Sequence, residues 1–186
     1  MRASLLTIFL LCGFTIPNFA GYDEPDHPSE NHKYPVPKCT ETLLFYVQRT
    51  HNSNTIIYEL NFQPDGMVNK KEPLHPIWIR YEEGGAREEL SFIQNRVYGL
   101  DFRLLEKDTY VIHFRAYKKR EIYLIRSATS NLYKVMININ GKMAELTNLF
   151  ICSVTNALGI PSTIRYIDIN GIDPASGTIV SERVIP

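Results

Sequence analysis

Beyond its first twenty residues the chain has no apolar run long enough to cross a membrane as a helix, which takes about 20 residues. It has no excess of either charge, with 20 Lys and Arg against 20 Asp and Glu, so nothing global draws it to nucleic acid or an acidic membrane. No serine sits in a glycine-flanked elbow, and no Cys–His arrangement brings a third orienting group. Phosphate loops and cofactor fingerprints are missing, so no cofactor is expected. His51, His75 and His113 are scattered, no two at metal-ligand spacing, and no metal is expected. There is a single tryptophan, Trp78.

The first residues carry an address. Arg2 gives a basic start, Leu5 to Phe14 a short apolar core, and Ala20 a small residue at a cleavage point, so residues 1–20 read as a signal peptide. Asn18 is a mediocre residue for position −3 of such a site. Cys12 follows Leu10-Leu11 without the small residue a lipoprotein site wants. The expectation is an exported protein, periplasmic or extracellular, with no transmembrane segment in the mature chain. Residues 21–38 (GYDEPDHPSENHKYPVPK) are polar and proline-rich and cannot bury enough apolar surface to offset ordering. They read as a flexible leader, with Tyr34-Pro35-Val36-Pro37 running extended along the domain. His27 and His32 beside Asp23, Glu24 and Asp26 form either a loose metal tract or, more plainly, a solvated tail. Residues 39–186 then suit one domain. Cys39 and Cys152 have two readings. They pair, closing a loop that stabilises by about 4–5 kcal/mol, or Cys152 is a buried free thiol and Cys39 an unrelated edge residue.

The domain reads as mainly β, an antiparallel sandwich or barrel with one helix. Leu43, Phe45 and Val47 alternate with Leu44, Tyr46 and Gln48, and Ile56, Tyr58, Leu60 and Phe62 make a second apolar face beyond a turn at 51–54, which together predict a hairpin. Ile77, Ile79 and Tyr81 alternate with Trp78, Arg80 and Glu82, predicting a strand that Gly84-Gly85 breaks. Leu90, Ile93 and Val97 then recur at helical spacing, which predicts a helix over 86–98 with Arg87, Glu88 and Glu89 in its first turn and Gly99 at its C′ position. The rival for this stretch is a strand carrying Leu90 and Phe92. Downstream, strands are expected at 100–105, 109–116, 121–127, 132–139, 142–154, 163–170 and 178–185, with Asn140-Gly141 as a type I′ hairpin turn and a loop at 156–161.

Leu44-Phe45-Tyr46-Val47-Gln48-Arg49, Trp78-Ile79-Arg80-Tyr81, Glu88-Glu89-Leu90-Ser91-Phe92-Ile93-Gln94, Val97-Tyr98-Gly99 and Tyr166-Ile167-Asp168-Ile169-Asn170-Gly171 are the segments that carry a resemblance. The chain from about Leu43 to Pro186 resembles a domain-of-unknown-function family of small exported bacterial proteins, many from Bacteroidetes-type organisms. The resemblance implies export and a single domain, and it brings no catalytic residues with it.

Three groups of residues invite a function. Trp78, Arg80 and Tyr98 set aromatic faces beside a cation, suited to a glycan or a small anionic ligand; the plainer reading puts Trp78 in the core with Arg80 reaching to water. Glu82 and Glu89 are the better pair among four clustered carboxylates for acid–base work on a glycosidic bond, against a solvated corner of surface ion pairs. Tyr117-Lys118-Lys119-Arg120, with Arg115 and Arg126, is a basic hairpin tip for anionic polymers or, more plainly, a charged guard on a strand edge. The leading expectation is a non-enzymatic binding or envelope-associated module, with a glycan-acting hydrolase and a structural envelope component as alternatives.

Overall fold

The computed structural model describes residues 34–106, 108–127, 132–155 and 161–186, with the side chains at 155, 161 and 162 left aside. The expected signal peptide, leader residues 21–33 and the loop at 156–160 lie outside the described residues.

Eleven strands form one hydrogen-bonded sheet: β1 (Leu43–Arg49), β2 (Asn52–Leu60), β3 (Leu74–Arg80), β4 (Ala86–Glu89), β5 (Leu100–Glu106), β6 (Thr109–Phe114), β7 (Tyr117–Arg126), β8 (Tyr133–Ile139), β9 (Lys142–Thr155), β10 (Pro161–Ile172) and β11 (Ile179–Val184). The path runs β4-β3-β2-β1-β9-β8-β7-β6-β5, with β10 and then β11 added beside β9. Pairing is antiparallel throughout except where β1 lies parallel to β9, Tyr46 to Asn148 through Arg49 to Ile151. The sheet is continuous, as in a barrel, yet β4 and β5 each have a single neighbour, as at the edges of a sandwich.

The long strand β9 sets the curvature. Its first residues, Lys142 to Glu145, pair with β8, and Asn148 to Ile151 pair with β1. Strand β10 pairs along Glu145 to Thr155. A strand has only two edges, so β8 and β1 share one of them end to end while β10 takes the other. Two leaves therefore branch from one strand and face each other across the core. Alternation supplies the core: Phe45, Val47, Ile56, Tyr58, Ile112, Leu124, Ile137 and Leu146 are all buried within one cluster. Phe45 and Tyr58 stack at 4.3 Å between centroids, and Phe114 from the opposite leaf meets both edge-on. Aromatic pairs of this kind add about 0.5–1.5 kcal/mol each beyond the area they bury.

The turn expected at 51–54 is tighter, at Thr50-His51, because residues 52–54 already belong to β2, whereas the turn expected at Asn140-Gly141 is found. Asn140 and Gly141 have φ of 51° and 83°, the positive pair a type I′ turn requires. The Gly84-Gly85 break likewise holds two positive φ values, 74° and 82°, after a 3-10 turn at Tyr81–Glu83.

The helix departs from expectation. Residues Ala86–Glu89 form β4 on the edge of β3, with Ile79 opposite Arg87 and Ile77 opposite Glu89, so the first part of the expected helix is a strand, although not the rival's: Leu90 lies beyond it and Phe92 opens the helix. Helix α1 covers only Phe92–Tyr98, because Ser91 fixes its start. The Ser91 hydroxyl accepts from the Gln94 N–H and the Gln94 carbonyl Oε1 accepts from the Ser91 N–H, a reciprocal capping box. Arg87, Glu88 and Glu89 thus lie outside any helical turn. Ile93, assigned inward by its spacing, is 76% exposed beside Phe92 at 79%. Gly99 is extended (φ −63°, ψ 157°) and has no left-handed cap role. It is glycine for room: a Cβ there would run into the Asn95 carbonyl and side chain, which α1 presses against it.

Before β1, Tyr34 packs its ring edge-on to Phe150, and the Gln48 amide donates to the Pro35 carbonyl at 2.9 Å, so the end of the leader does lie along the outer face of the sheet. Cys39 is exposed four residues before β1 starts, while Cys152 is buried level with its end, and both thiols are free. Replacing Gly99 by alanine is expected to lower the unfolding free energy by about 1–3 kcal/mol, measured by urea denaturation, with the strand signal in circular dichroism retained.

Candidate functional site

The branch of β9 leaves a gap. Strand β8 pairs only as far as Glu145 and β1 begins at Asn148, so the two leaves part at Leu146-Thr147. Beside this point lies a cavity of about 130 Å³. Val47 of β1, Ile137 of β8, Leu149 and Ile151 of β9 and Ile167 and Ile169 of β10 form its walls. Val97 and Tyr98 of α1, Phe114 of β6, Ile122 of β7, Val184 of β11 and Pro186 beyond it also line it. The lining is almost wholly hydrocarbon, with Arg120 the one charged side chain among the described lining residues.

Arg120 is spoken for. Its guanidinium makes a two-pronged pair with Glu182 of β11, at 2.6 and 3.1 Å, and Glu182 also accepts from the Asn140 N–H at 2.8 Å. This pair fastens β11 across the β8–β9 hairpin and closes one side of the cavity. The Arg120 hydrogen bond, then the Asn140 N–H, hold the Glu182 carboxyl below the usual carboxylate range against the upward pull of burial.

Tyr98 connects the cavity to the aromatic cluster. Its backbone carbonyl accepts from the buried Tyr58 hydroxyl at 2.8 Å, which anchors the end of α1 to β2. Burial first, and then the neighbouring Tyr98, push the Tyr58 phenol well above its ordinary value, so it stays a donor. The Tyr98 ring meets Trp78 edge-on at 6.4 Å. The cation beside them is Arg49. Its guanidinium lies 4.5 Å from the Trp78 ring centroid and 5.8 Å from that of Tyr98, and Nη1 donates to the Tyr98 hydroxyl at 3.1 Å.

Of the expected ligand group, then, the structure brings together Trp78 and Tyr98 but not Arg80. Arg80 sits at the end of β3 and is held by Glu83 at 2.5 Å and Glu88 at 3.2 Å. Trp78 is only 6% exposed, packed in the core, and presents no open face for a sugar ring. The residue that sequence reasoning passed over is Arg49. A signal for it existed, since Arg49 continues the inward series Phe45, Val47 along β1.

The acidic pair is not brought together. Glu89 stands opposite Ile77, and Arg80, the last residue of β3, is about 10 Å further along at strand rise. Glu82 lies beyond that, accepting from the Ser53 N–H at 3.1 Å, whereas Glu89 meets His75 at 2.9 Å in a separate polar recess of about 180 Å³. The basic hairpin tip is largely neutralised: Arg115 and Lys118 pair with Asp101, Arg120 with Glu182 and Arg126 with Asp108. On the outer face Arg183 lies 3.7 Å over the Tyr166 ring, and burial together with the Cys152 thiol pushes the Tyr166 phenol up to about 12. Among the described residues no group of His, Cys, Asp and Glu is placed to hold a metal ion.

Fold and site together define a mainly β, mostly antiparallel domain with one short helix and a small apolar cavity between that helix and the sheet. The chain belongs to the family described as Domain of unknown function (DUF4833), whose model matches residues 45–183. No curated protein and no solved structure matches it.

Glu182→Gln tests the fastening of β11. A carboxyl with a depressed folded pKa stabilises fully above its unfolded value of about 4.3 and loses that contribution as the pH falls through the folded value. The variant is therefore expected to be less stable than the native protein by about 1–2 kcal/mol at pH 7. Chemical denaturation across pH 7 to 3 should show the two curves converging below about pH 4.

Proposed function

We propose that the domain is a non-enzymatic binding module that receives a small hydrocarbon group in the cavity behind Tyr98. The observation that carries this reading is the cavity itself: a space of about 130 Å³, open to solvent on one side, whose walls offer almost nothing but aliphatic and aromatic carbon. Apolar wall left facing water in such a space is stabilised when a hydrocarbon group covers it. Water gains little from entering, because it needs two or more polar partners there. An engineered apolar cavity of about 150 Å³ in another protein stays dry and binds benzene, so this one suits a group of about six carbons. A glycan has no such affinity for a hydrocarbon wall, and the buried Trp78 gives it no stacking platform. The hydrolase alternative lacks a carboxylate pair facing one space, since Glu82 and Glu89 are committed at different ends of β3.

The proposal extends to location. The apolar run Leu5 to Phe14 behind Arg2 supports export to the periplasm or beyond, where a carrier or envelope-associated module would meet hydrophobic small molecules. Expression of the full chain in a bacterial host, followed by fractionation and intact-mass measurement, is expected to give an exported form shorter by about twenty residues. A cytoplasmic protein retaining residues 1–20 would overturn that part.

For the cavity, titration with benzene or 1-hexanol followed by calorimetry and by chemical shifts of Ile137 and Leu149 methyl groups is expected to show one saturable site. The dissociation constant should be on the order of 0.1–1 mM, as six or seven well-buried heavy atoms allow. Ile151→Phe, which fills the space from a half-buried position, should abolish binding while leaving the fold intact. Saturable binding that survives this substitution would place the ligand elsewhere.

A further inference from the structure

The geometry points to Arg49 as the recognition site for an anionic head group, so that the ligand is a short amphiphile with a carboxylate or phosphate monoester at one end and a hydrocarbon tail in the cavity. This rests on the cavity reading and adds the chemistry of the other end.

Arg49 is a cation left short of partners in a place that disfavours one. It is half-buried, and no carboxylate lies within 4 Å of its guanidinium among the described residues. Its Nε is buried and has no hydrogen-bond partner. Of its five N–H donors, the one side-chain bond among the described residues is that from Nη1 to the Tyr98 hydroxyl. A buried donor without an acceptor is destabilising, and a partly buried charge without a counter-charge more so. The Trp78 and Tyr98 rings offset part of this through their π faces, but rings accept poorly in the plane where a guanidinium aims its N–H groups. An anion that presents two oxygens side by side, as a carboxylate or a phosphate monoester does, is the group that fits a guanidinium's remaining fork.

Position ties this cation to the cavity. Arg49 is two residues along β1 from Val47, is the register partner of Ile151 on β9, and bonds Tyr98; all three of those residues line the cavity. Arg49 itself is not among the residues that line the cavity, but Tyr98 is, so a molecule with its tail against Val47 and Ile151 reaches the guanidinium past the Tyr98 side chain. The Tyr98 hydroxyl, now accepting from Arg49, is free to rotate and donate to the same anion. Compare Arg120, the other cation near the cavity: Glu182 occupies both of its prongs, so it has no fork to offer.

The experiment uses the purified full chain and four probes that share a six-carbon tail: hexanoate, hexyl phosphate, 1-hexanol and hexylamine. Calorimetry at pH 7 and low salt is expected to give hexanoate or hexyl phosphate at least tenfold tighter than 1-hexanol, with hexylamine weakest. Whichever anion binds tighter identifies the head group. Trp78, the only tryptophan, reports the event directly, because drawing Arg49 from its ring changes its emission for the anions and not for the alcohol. In Arg49→Gln the ratio of hexanoate to 1-hexanol affinity should fall to about one. Arg49→Lys, which keeps the charge without the fork, should retain an intermediate ratio and guards against a change of fold, monitored by circular dichroism. Equal affinity for the anions and the alcohol in the native protein would overturn the assignment of Arg49 while leaving the hydrocarbon cavity standing. A preference that persists in Arg49→Gln would do the same. If none of the four probes binds, both readings fall.

Discussion

The structure depends on one strand serving two neighbours along the same edge. Strand β9 has 14 residues, long enough to hold β8 at its start and β1 near its end while β10 covers its other side. Backbone N–H and C=O groups buried in a sheet need partners, so the arrangement persists because β8 and β1 between them pair most of that edge. What it cannot provide is a smooth surface at the junction. Side chains on two diverging leaves interdigitate less well than those on one, and the cavity lies beside the residues where β8 gives way to β1. The space is thus a consequence of the topology and needs no special loop to create it.

Helix α1 closes this space, and its position is dictated from outside itself. Seven residues are too few to be a stable helix in water. Three contacts compensate: the Ser91–Gln94 box at its start, the bond from Arg115 to the Asn95 side chain at 2.9 Å, and the Tyr58 hydroxyl on the Tyr98 carbonyl at its end. None of these is apolar burial, which accounts for a helix whose apolar residues Phe92 and Ile93 point to solvent. The element that shapes the cavity is held by these hydrogen bonds together with the Tyr98 ring against Trp78, while Phe92 and Ile93 add no packing.

Much of the β architecture was legible because it is local. Period-two alternation marked Phe45 and Val47 or Ile56 and Tyr58 as one face without reference to any other strand, and Asn140-Gly141 carried its turn in two residues. The stretch 86–98 was harder. Leu90, Ile93 and Val97 satisfy helical spacing, but Ala86–Glu89 is decided by an available edge on β3, which propensity does not register. Ser91-x-x-Gln94 was the local sign that the helix starts later. The parallel pairing of β1 with β9 joins residues about a hundred positions apart and leaves no local trace at all. The cavity follows from that pairing and was equally invisible.

The choice between the two arginines near Trp78 shows the same division in charge. Arg80 stands beside Trp78 in a strand-period reading, yet its carboxylates, Glu83 and Glu88, lie within eight residues of it and reach it through the tight β3–β4 hairpin. Local acidic neighbours satisfy a cation locally, and what is satisfied has little left for a ligand. The acidic residues nearest Arg49 in sequence, Glu41 and Glu59, do not reach it, and Glu59 is taken by Arg87 at 2.6 Å. Folding then carries Arg49 to two aromatic rings, one of which, Tyr98, lines the apolar space. A cation in such surroundings loses hydration without gaining a counter-charge, and the rings return only part of that loss. The imbalance is the physical reason for looking to Arg49, rather than to the charge-rich corner around Arg80, for the polar half of whatever this domain holds.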